Sequence, residues 1–149
     1  MTMTRLLLRK RPEVHVAAIV PAYTVSAELG EVLRQMPMLF TTVIVVDDCS
    51  KDATAAVAER YAQLDERIVL VRHEVNRGVG GAMVTGFARA LEAGADIVVK
   101  IDGDGQMPLW LVPSLVGPLI DGVADYTKGN RFRDFQAVRS RRADDIGRI

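Results

Sequence analysis

The sequence predicts an α/β fold in which a mainly parallel β-sheet lies between two layers of helices. Short apolar runs rich in valine and isoleucine alternate along the chain with segments of helical periodicity. Strands that alternate with helices of about 10–15 residues form parallel sheets with right-handed crossovers. With 149 residues, of which 49% are hydrophobic, the chain can bury the core of one such domain.

Continuous apolar runs mark the strands, and spaced apolar residues mark the helices. Buried parallel strands read as near-continuous hydrophobic runs, which predicts strands over residues 14–20, 42–46, 68–71 and 97–101. A fifth strand is expected over residues 124–128. Helical spacing predicts helices over residues 26–36, 53–63 and 82–92. We expect Ser26 to cap the first helix, Asp52 or Ser50 to cap the second, and Gly94 to follow the third. A broken helix is expected at Pro108, Pro113 and Pro118.

Charge and composition exclude several classes of protein. Nineteen basic and nineteen acidic side chains cancel, which argues against a nucleic-acid-binding protein. Cys49 is the single cysteine, so an internal disulfide is excluded and a reducing compartment is expected. No apolar run approaches the roughly 18 residues that suggest a membrane span. We therefore expect a cytoplasmic protein.

The two ends of the chain differ from the part between them. Residues 1–13 are expected to form a flexible basic terminus, in which three consecutive leucines lie between basic residues. This cluster is either solvated or in contact with anionic lipid at the cytoplasmic membrane face, where each basic residue contributes about 1 kcal/mol. The alternating pattern fails towards the other end, so we expect a folded domain over residues 14–133 and a loose tail over 134–149.

Three of the predicted strands end in residues that can bind a ligand. These ends are Pro21-Ala22-Tyr23, Asp47-Asp48 and Asp102-Gly103-Asp104-Gly105-Gln106. Because the carboxyl ends of parallel strands lie at one edge of the sheet, we expect these residues to converge there. The ring of Tyr23 offers a flat face for a nucleobase, and Asp47 or Asp48 can accept a hydrogen bond from a base or a ribose. The alternative is that these residues only cap the strands.

The third of these strand ends suits a divalent cation. One residue separates Asp102 from Asp104, a spacing that suits two oxygen ligands on one hard cation, and Gly103 allows close approach of the backbone. Together with Gln106, the two carboxylates can hold a cation that neutralises a diphosphate. The alternative is a turn in which aspartate and glycine only supply favourable backbone geometry.

A glycine-rich segment, residues 76–81, precedes the third predicted helix. Free backbone N–H groups at the start of a helix bind anionic oxygens, so Gly78 is a candidate phosphate contact. The alternative is a tight entry into the helix. The segment matches neither the dinucleotide-binding fingerprint nor the P-loop. We interpret His15 as strand packing, His73 as a surface residue and Cys49 as inert, because none of them has the spacing of a metal or catalytic site.

Five short motifs in this order make the chain resemble the family 2 glycosyltransferases. They are Pro21-Ala22-Tyr23 and the segments 45–52, 76–82, 102–106 and 128–132. Within the family, the chain is similar to the polyprenyl-phosphate branch, which includes the dolichol-phosphate mannose synthases. The resemblance implies a GT-A fold, which is a Rossmann-like three-layer sandwich. It also implies a UDP- or GDP-linked sugar as donor, Mg²⁺ or Mn²⁺ as cofactor, and inversion at the anomeric carbon.

Carried over onto this sequence, the resemblance completes the expected site. The nucleotide-sugar-binding set is Pro21, Ala22, Tyr23, Asp47, Asp48, Gly78, Asp102 and Gly103. The expected metal ligands are Asp102, Asp104 and Gln106. The chain departs from the family at Thr24 and Val25, where the family has Asn-Glu and uses the glutamate to bind the nucleoside.

The resemblance predicts a metal-assisted transferase that moves a sugar to a polyprenyl-phosphate acceptor. The catalytic domains of the family run on past residue 149, so we expect no counterpart of the acceptor-side general base, and no catalytic residue is identified. The alternative is a non-catalytic nucleotide-sugar-binding module. A NAD-dependent oxidoreductase is disfavoured, because the first strand leads into Pro21-Ala22-Tyr23 rather than into glycines.

Overall fold

The computed structural model describes residues 13–129, which belong to two compact units. The boundary in the chain lies between Pro113 and Ser114. Three predicted segments lie outside the described residues. They are the basic terminus apart from Glu13, the tail, and residues 130–132 at the end of the last motif. None of the helices within residues 13–129 is long and apolar enough to cross a bilayer.

The first unit is built on a four-stranded parallel sheet. Its strands are β1 (Val16–Ala22), β2 (Thr42–Asp47), β3 (Ile68–Arg72) and β4 (Ile97–Lys100). Their order across the sheet is β3-β2-β1-β4, and each neighbouring pair is parallel. The α/β prediction with a parallel sheet is therefore confirmed.

The register of the strands places their carboxyl ends at one edge of the sheet. Ala22 at the end of β1 pairs with Asp47 at the end of β2. On the other side of β1, Lys100 at the end of β4 pairs with Ile19. Strand β1 therefore continues three residues beyond this last pair, so the chain after β4 runs beside the end of β1.

The sheet is buried on both faces. The helices that follow the first three strands are α1 (Leu29–Arg34), α2 (Thr54–Leu64) and α3 (Gly78–Glu92). Helix α3 packs against alternate residues of β1 and β2, and this core cluster comprises Ala17, Ile19, Ile44, Val46, Ala82 and Ala90. Successive side chains of a strand point to opposite faces. The intervening residues, which are also buried, therefore form the core of the other face: Ala18, Val20, Val43 and Val45.

Two helix starts differ from the prediction. Helix α1 begins at Leu29 rather than at Ser26, because the Ser26 N–H donates to Asp52 of another loop and the Ser26 side chain caps no helix. Helix α3 begins four residues earlier than predicted, at Gly78. A Cβ atom on Gly81 would lie 2.4 Å from Cβ of Arg77, so only glycine lets this first turn close. Gly94 follows the end of α3 in a left-handed conformation, with φ of 72°, as predicted.

The proline-rich segment forms a 3-10 turn and a helix, α4 (Val112–Ile120), which crosses the boundary between the units. In the second unit, residues 121–129 contain no strand, so the predicted fifth strand is wrong. Its backbone instead turns back on α4. The N–H of Ala124 donates to the carbonyl of Pro118, and the hydroxyl of Thr127 donates to the carbonyl of Leu115 at 2.9 Å.

Candidate functional site

A pocket of about 200 Å³ opens at the carboxyl edge of the sheet in the first unit. The loops after β1, β2 and β4 and the first turn of α3 form its wall. The residues that line it are Pro21, Ala22, Tyr23, Val25, Asp48, Val79, Ala82, Asp102, Gly103 and Asp104. The structure therefore brings together the three strand ends that were expected to converge. The ring of Tyr23 remains open to a ligand, since 52% of this residue is exposed.

Side chains of the loop after β2 hold the Tyr23 loop. Three consecutive backbone N–H groups, those of residues 24–26, donate to Ser50 Oγ at 3.0 Å, to Thr54 Oγ1 at 2.9 Å and to Asp52 Oδ2 at 3.2 Å. We call Ser50, Asp52 and Thr54 the anchor residues. A backbone N–H that loses its acceptor costs free energy. These contacts therefore fix the course of the loop that carries Tyr23.

The anchor residues also stabilise one another. The Thr54 hydroxyl donates to Asp52 Oδ1 at 2.6 Å, and the Thr54 N–H donates to the same oxygen at 3.0 Å. Hydrogen bonds from Thr54 and Ser26 hold the pKa of the Asp52 carboxyl well below its usual range. Thr24 has a left-handed backbone, with φ of 55°. Such a conformation costs energy in a residue other than glycine and persists because the surrounding contacts require it.

Asp48 lies in the pocket wall and is buried, and one oxygen of its carboxylate is held by two donors. Its Oδ1 accepts hydrogen bonds from the Arg77 N–H at 2.8 Å and from His73 Nδ1 at 2.7 Å. Burial raises the pKa of the Asp48 carboxyl, but these hydrogen bonds lower it more, and the pKa lies below its usual value. Asp48 is therefore a carboxylate at neutral pH and presents a negative charge to the pocket.

Asp47 and Gly78 do not line the pocket, although both were expected in the nucleotide-sugar-binding set. Asp47 is buried, and its Oδ1 accepts from the Ser50 N–H at 3.2 Å, while Oδ2 lies 3.6 Å from Nε of Arg72. The N–H of Gly78 donates to the side chain of Asn76 at 3.0 Å. Both residues thus order the loops around the pocket.

The loop after β4 places two carboxylates on the pocket wall. Asp102 forms an ion pair with Lys100, and Asp104 Oδ1 accepts from the Gln106 N–H at 3.1 Å. A Cβ atom on Gly103 would lie 3.3 Å from the carbonyl oxygen of Pro21, so glycine permits the loop to lie against the end of β1. The side chain of Gln106 does not line the pocket.

The two carboxylates suit a cation that is bound together with a phosphate ligand. Within residues 13–129 no group of three or more acidic, histidine or cysteine side chains could hold a metal ion. Mg²⁺ keeps several waters and is typically bound through one or two carboxylates and the phosphates of a substrate. Asp102 and Asp104 meet that requirement, and the described residues do not form a closed protein cage.

The structure corrects both interpretations of the histidines. His73 is buried, between Asp48 and Thr85, and is not a surface residue. His15 is exposed and precedes β1, so it does not pack within the strand. The position of His73 directly after β3 could have indicated its place, because β3 ends at the same edge of the sheet as β1 and β2. The anchor residues gave no such signal, since their partners are backbone groups.

Residues 17–147 match the model of glycosyl transferase family 2. The chain belongs to this family. The resemblance found in the sequence is therefore confirmed.

The names of two relatives refer to dolichyl phosphate and to polyprenol monophosphomannose. The UDP-N-acetylglucosamine–dolichyl-phosphate N-acetylglucosaminyltransferase of Methanococcus voltae is 30% identical over an alignment of 129 residues, gaps included, and the match covers 78% of this chain and 51% of the relative. The polyprenol monophosphomannose synthase of Mycolicibacterium smegmatis is 32% identical over an alignment of 138 residues, gaps included, and the match covers 87% of this chain and 50% of the relative. The chain thus spans about half the length of the curated relatives it matches.

A solved structure supports the same fold. Glucosyl-3-phosphoglycerate synthase of Mycobacterium tuberculosis, in complex with Mn²⁺, UDP and glucosyl-3-phosphoglycerate, has a TM-score of 0.56 and 30% sequence identity. The match covers 72% of this chain and 40% of that one. The structural neighbours are GT-A glycosyltransferases, so the GT-A prediction is confirmed.

Proposed function

We propose that this family 2 domain binds the nucleotide-diphosphate sugar donor of an inverting glycosyl transfer to a polyprenyl phosphate. The observation that carries the proposal is the pocket, in which an accessible aromatic ring, a buried carboxylate and a pair of exposed carboxylates meet. Two relatives named as polyprenyl-phosphate sugar transferases support the acceptor class. The complex of the structural neighbour with Mn²⁺ and UDP supports a uridine nucleotide and a metal.

Each group in the pocket has a proposed role. The ring of Tyr23 stacks on the base, and Asp48 accepts a hydrogen bond from the base or the ribose. Asp102 and Asp104 would hold Mg²⁺ or Mn²⁺. That cation supplies positive charge next to the diphosphate, which offsets the negative charge that develops on it as it leaves. A pocket of about 200 Å³ is smaller than the roughly 300–1,000 Å³ of a typical ligand site, so the sugar and the acceptor would lie outside it.

A phosphate acceptor also suits a site without an identified base. A sugar hydroxyl must lose a proton to become a good nucleophile. A phosphate monoester has a second pKa near 6 and already carries an anionic oxygen at neutral pH. A polyprenyl phosphate would therefore need no general base, and its lipid would bring the domain to the surface of a membrane.

Calorimetric titration with nucleotides tests the proposal. We expect UDP or GDP to bind in the presence of Mn²⁺, and Asp104→Asn to weaken that binding at least about tenfold, because one of two carboxylate ligands is lost. Asp125→Asn is the matched control, since Asp125 is exposed and does not line the pocket. The proposal fails if neither nucleotide binds, or if Asp104→Asn binds as tightly as the unmodified chain.

An assay for transfer of sugar to polyprenyl phosphate separates the two functional hypotheses. Transfer from the UDP- or GDP-linked sugar identifies a catalytic domain. Nucleotide binding without transfer identifies a non-catalytic module. Sedimentation with vesicles that contain polyprenyl phosphate tests for association with a membrane surface.

A further inference from the structure

We propose that His73 is a positioning residue for the nucleotide, because it holds the Asp48 carboxylate in the orientation that the pocket ligand meets. This inference rests on the proposed function. It concerns a residue that does not line the pocket and lies behind its wall. The family match and the pocket motifs assign it no role.

His73 joins three elements of the first unit. It follows β3 directly, and its backbone N–H donates to the carbonyl of Asp47 at the end of β2 at 2.9 Å. Its ring lies between Asp48 Oδ1, 2.7 Å from Nδ1, and the Thr85 hydroxyl of α3, 2.8 Å from Nε2. The side chains of His73 and Asp48 are only 5% and 4% exposed. Water therefore cannot easily replace either hydrogen bond.

The partners of the ring assign its protons. A carboxylate only accepts hydrogen bonds, so Nδ1 must carry the proton that is shared with Asp48. In the neutral ring, Nε2 then accepts a hydrogen bond from the Thr85 hydroxyl. Thr85 thereby favours the tautomer in which Nδ1–H points at Asp48.

The contact with His73 limits how the Asp48 carboxylate can turn. Oδ1 accepts from His73 on one side and from the Arg77 N–H on the other. Two donors on one oxygen of a buried carboxylate fix the plane of the group, because any rotation breaks a charge-assisted hydrogen bond. Arg77 supplies its N–H from the backbone, so of these two donors only His73 sets the orientation through a side chain.

Two substitutions of His73 separate positioning from simple packing. The side-chain amide nitrogen of asparagine falls near the place of Nδ1, whereas that of glutamine falls near Nε2. His73→Asn thus keeps a donor for Asp48, and His73→Gln keeps only a partner for Thr85. We expect His73→Gln to weaken binding of the nucleotide about tenfold or more, and His73→Asn to stay within about threefold of the unmodified chain, although each loses one hydrogen bond.

Unfolding in urea provides the control for stability. A packing role predicts that both variants lose affinity in proportion to their loss of stability. Thr85→Val, which leaves the His73 ring in place, covers the case in which His73→Gln does not fold. We expect Thr85→Val to retain most of its stability and to weaken nucleotide binding, because one of the two hydrogen bonds that hold the His73 ring is lost.

Nitrogen-15 NMR of the histidine rings tests the same assignment without a nucleotide. We expect a protonated Nδ1 on His73 at neutral pH, and an Nδ1 without a proton would overturn the inference. If the unmodified chain binds neither UDP nor GDP, the proposed function fails and this inference fails with it. If it binds one of them, and His73→Gln or Thr85→Val binds equally well, only the positioning role is refuted.

Discussion

Thr54 connects the stability of the fold to the pocket, so replacing it with valine should affect both. The residue is completely buried, and its hydroxyl accepts from the Val25 N–H at 2.9 Å. Thr54→Val keeps the shape of the side chain and removes this acceptor. The Val25 N–H would then lie in a half-buried position without a partner, next to the loop that carries Tyr23.

The structure gives the size of the expected effect. Leaving a buried donor unsatisfied costs about 1–3 kcal/mol. In a protein of this length each 1 kcal/mol lowers the melting temperature by roughly 2–4 °C, so we expect Thr54→Val to melt roughly 2–12 °C below the unmodified chain. The loop after β1 should also become less ordered, and nucleotide affinity should fall.

Thr54→Ser is the matched control, because it keeps the hydroxyl and removes only a buried methyl group, at a cost of about 1 kcal/mol. Calorimetry, amide hydrogen exchange of residues 24–26 and nucleotide titration should be measured on both variants. We expect the serine variant to lose stability and keep its affinity, and the valine variant to lose both. Equal protection of the Val25 amide in the two variants would refute the anchoring role of Thr54.

Two further predictions concern packing and pH. A Cβ atom on Gly86 would lie 2.3 Å from Cγ2 of the buried Ile19. Gly86→Ala should therefore lower the free energy of unfolding in urea by about 1–3 kcal/mol, whereas Gly80→Ala in the same helix, whose Cβ meets no atom within 4 Å, should lower it little or raise it. Equal stability of the two variants would contradict the packing of α3. The pKa of Asp52 is lowered in the fold, so its contribution to stability is present above the ordinary carboxyl pKa and is lost as the pH falls through the folded value. The stability difference between the unmodified chain and Asp52→Asn should thus shrink as urea unfolding is followed from pH 7 into the acid range, and a difference that is independent of pH would contradict this assignment.

The alternation of apolar runs with helical segments predicted the sheet because the pattern reflects which residues are buried. Strands and helices of this fold both form by burying those residues. The convergence of the strand ends could also be predicted from the sequence, since a parallel sheet places the carboxyl ends of its strands at one edge. Tyr23, Asp48 and Asp104 indeed line one pocket. The predicted strand over residues 124–128 was wrong because the types of these residues do not show whether a neighbouring strand exists to pair with them.

Contacts between distant residues account for the rest of what the sequence did not predict. Ser26 has the composition of a helix cap, yet its backbone binds Asp52, 26 residues away in the chain. His73 reads as a polar residue after a strand, and only the fold shows that Asp48 and Thr85 enclose its ring. Local propensity cannot reveal such pairs, because the energy that decides them arises when the loops meet.

The contact of Gly103 with the carbonyl of Pro21 sets the span of the site. Because main chain meets main chain here, the separation between the backbone of the Tyr23 loop and the backbone of the loop after β4 does not depend on side-chain rotamers. A bound molecule must match that separation, and only the side chains that the two loops carry are left to adjust to it. Exchanges of individual side chains can therefore change which group is recognised at either end, while the overall length of the molecule that fits stays the same.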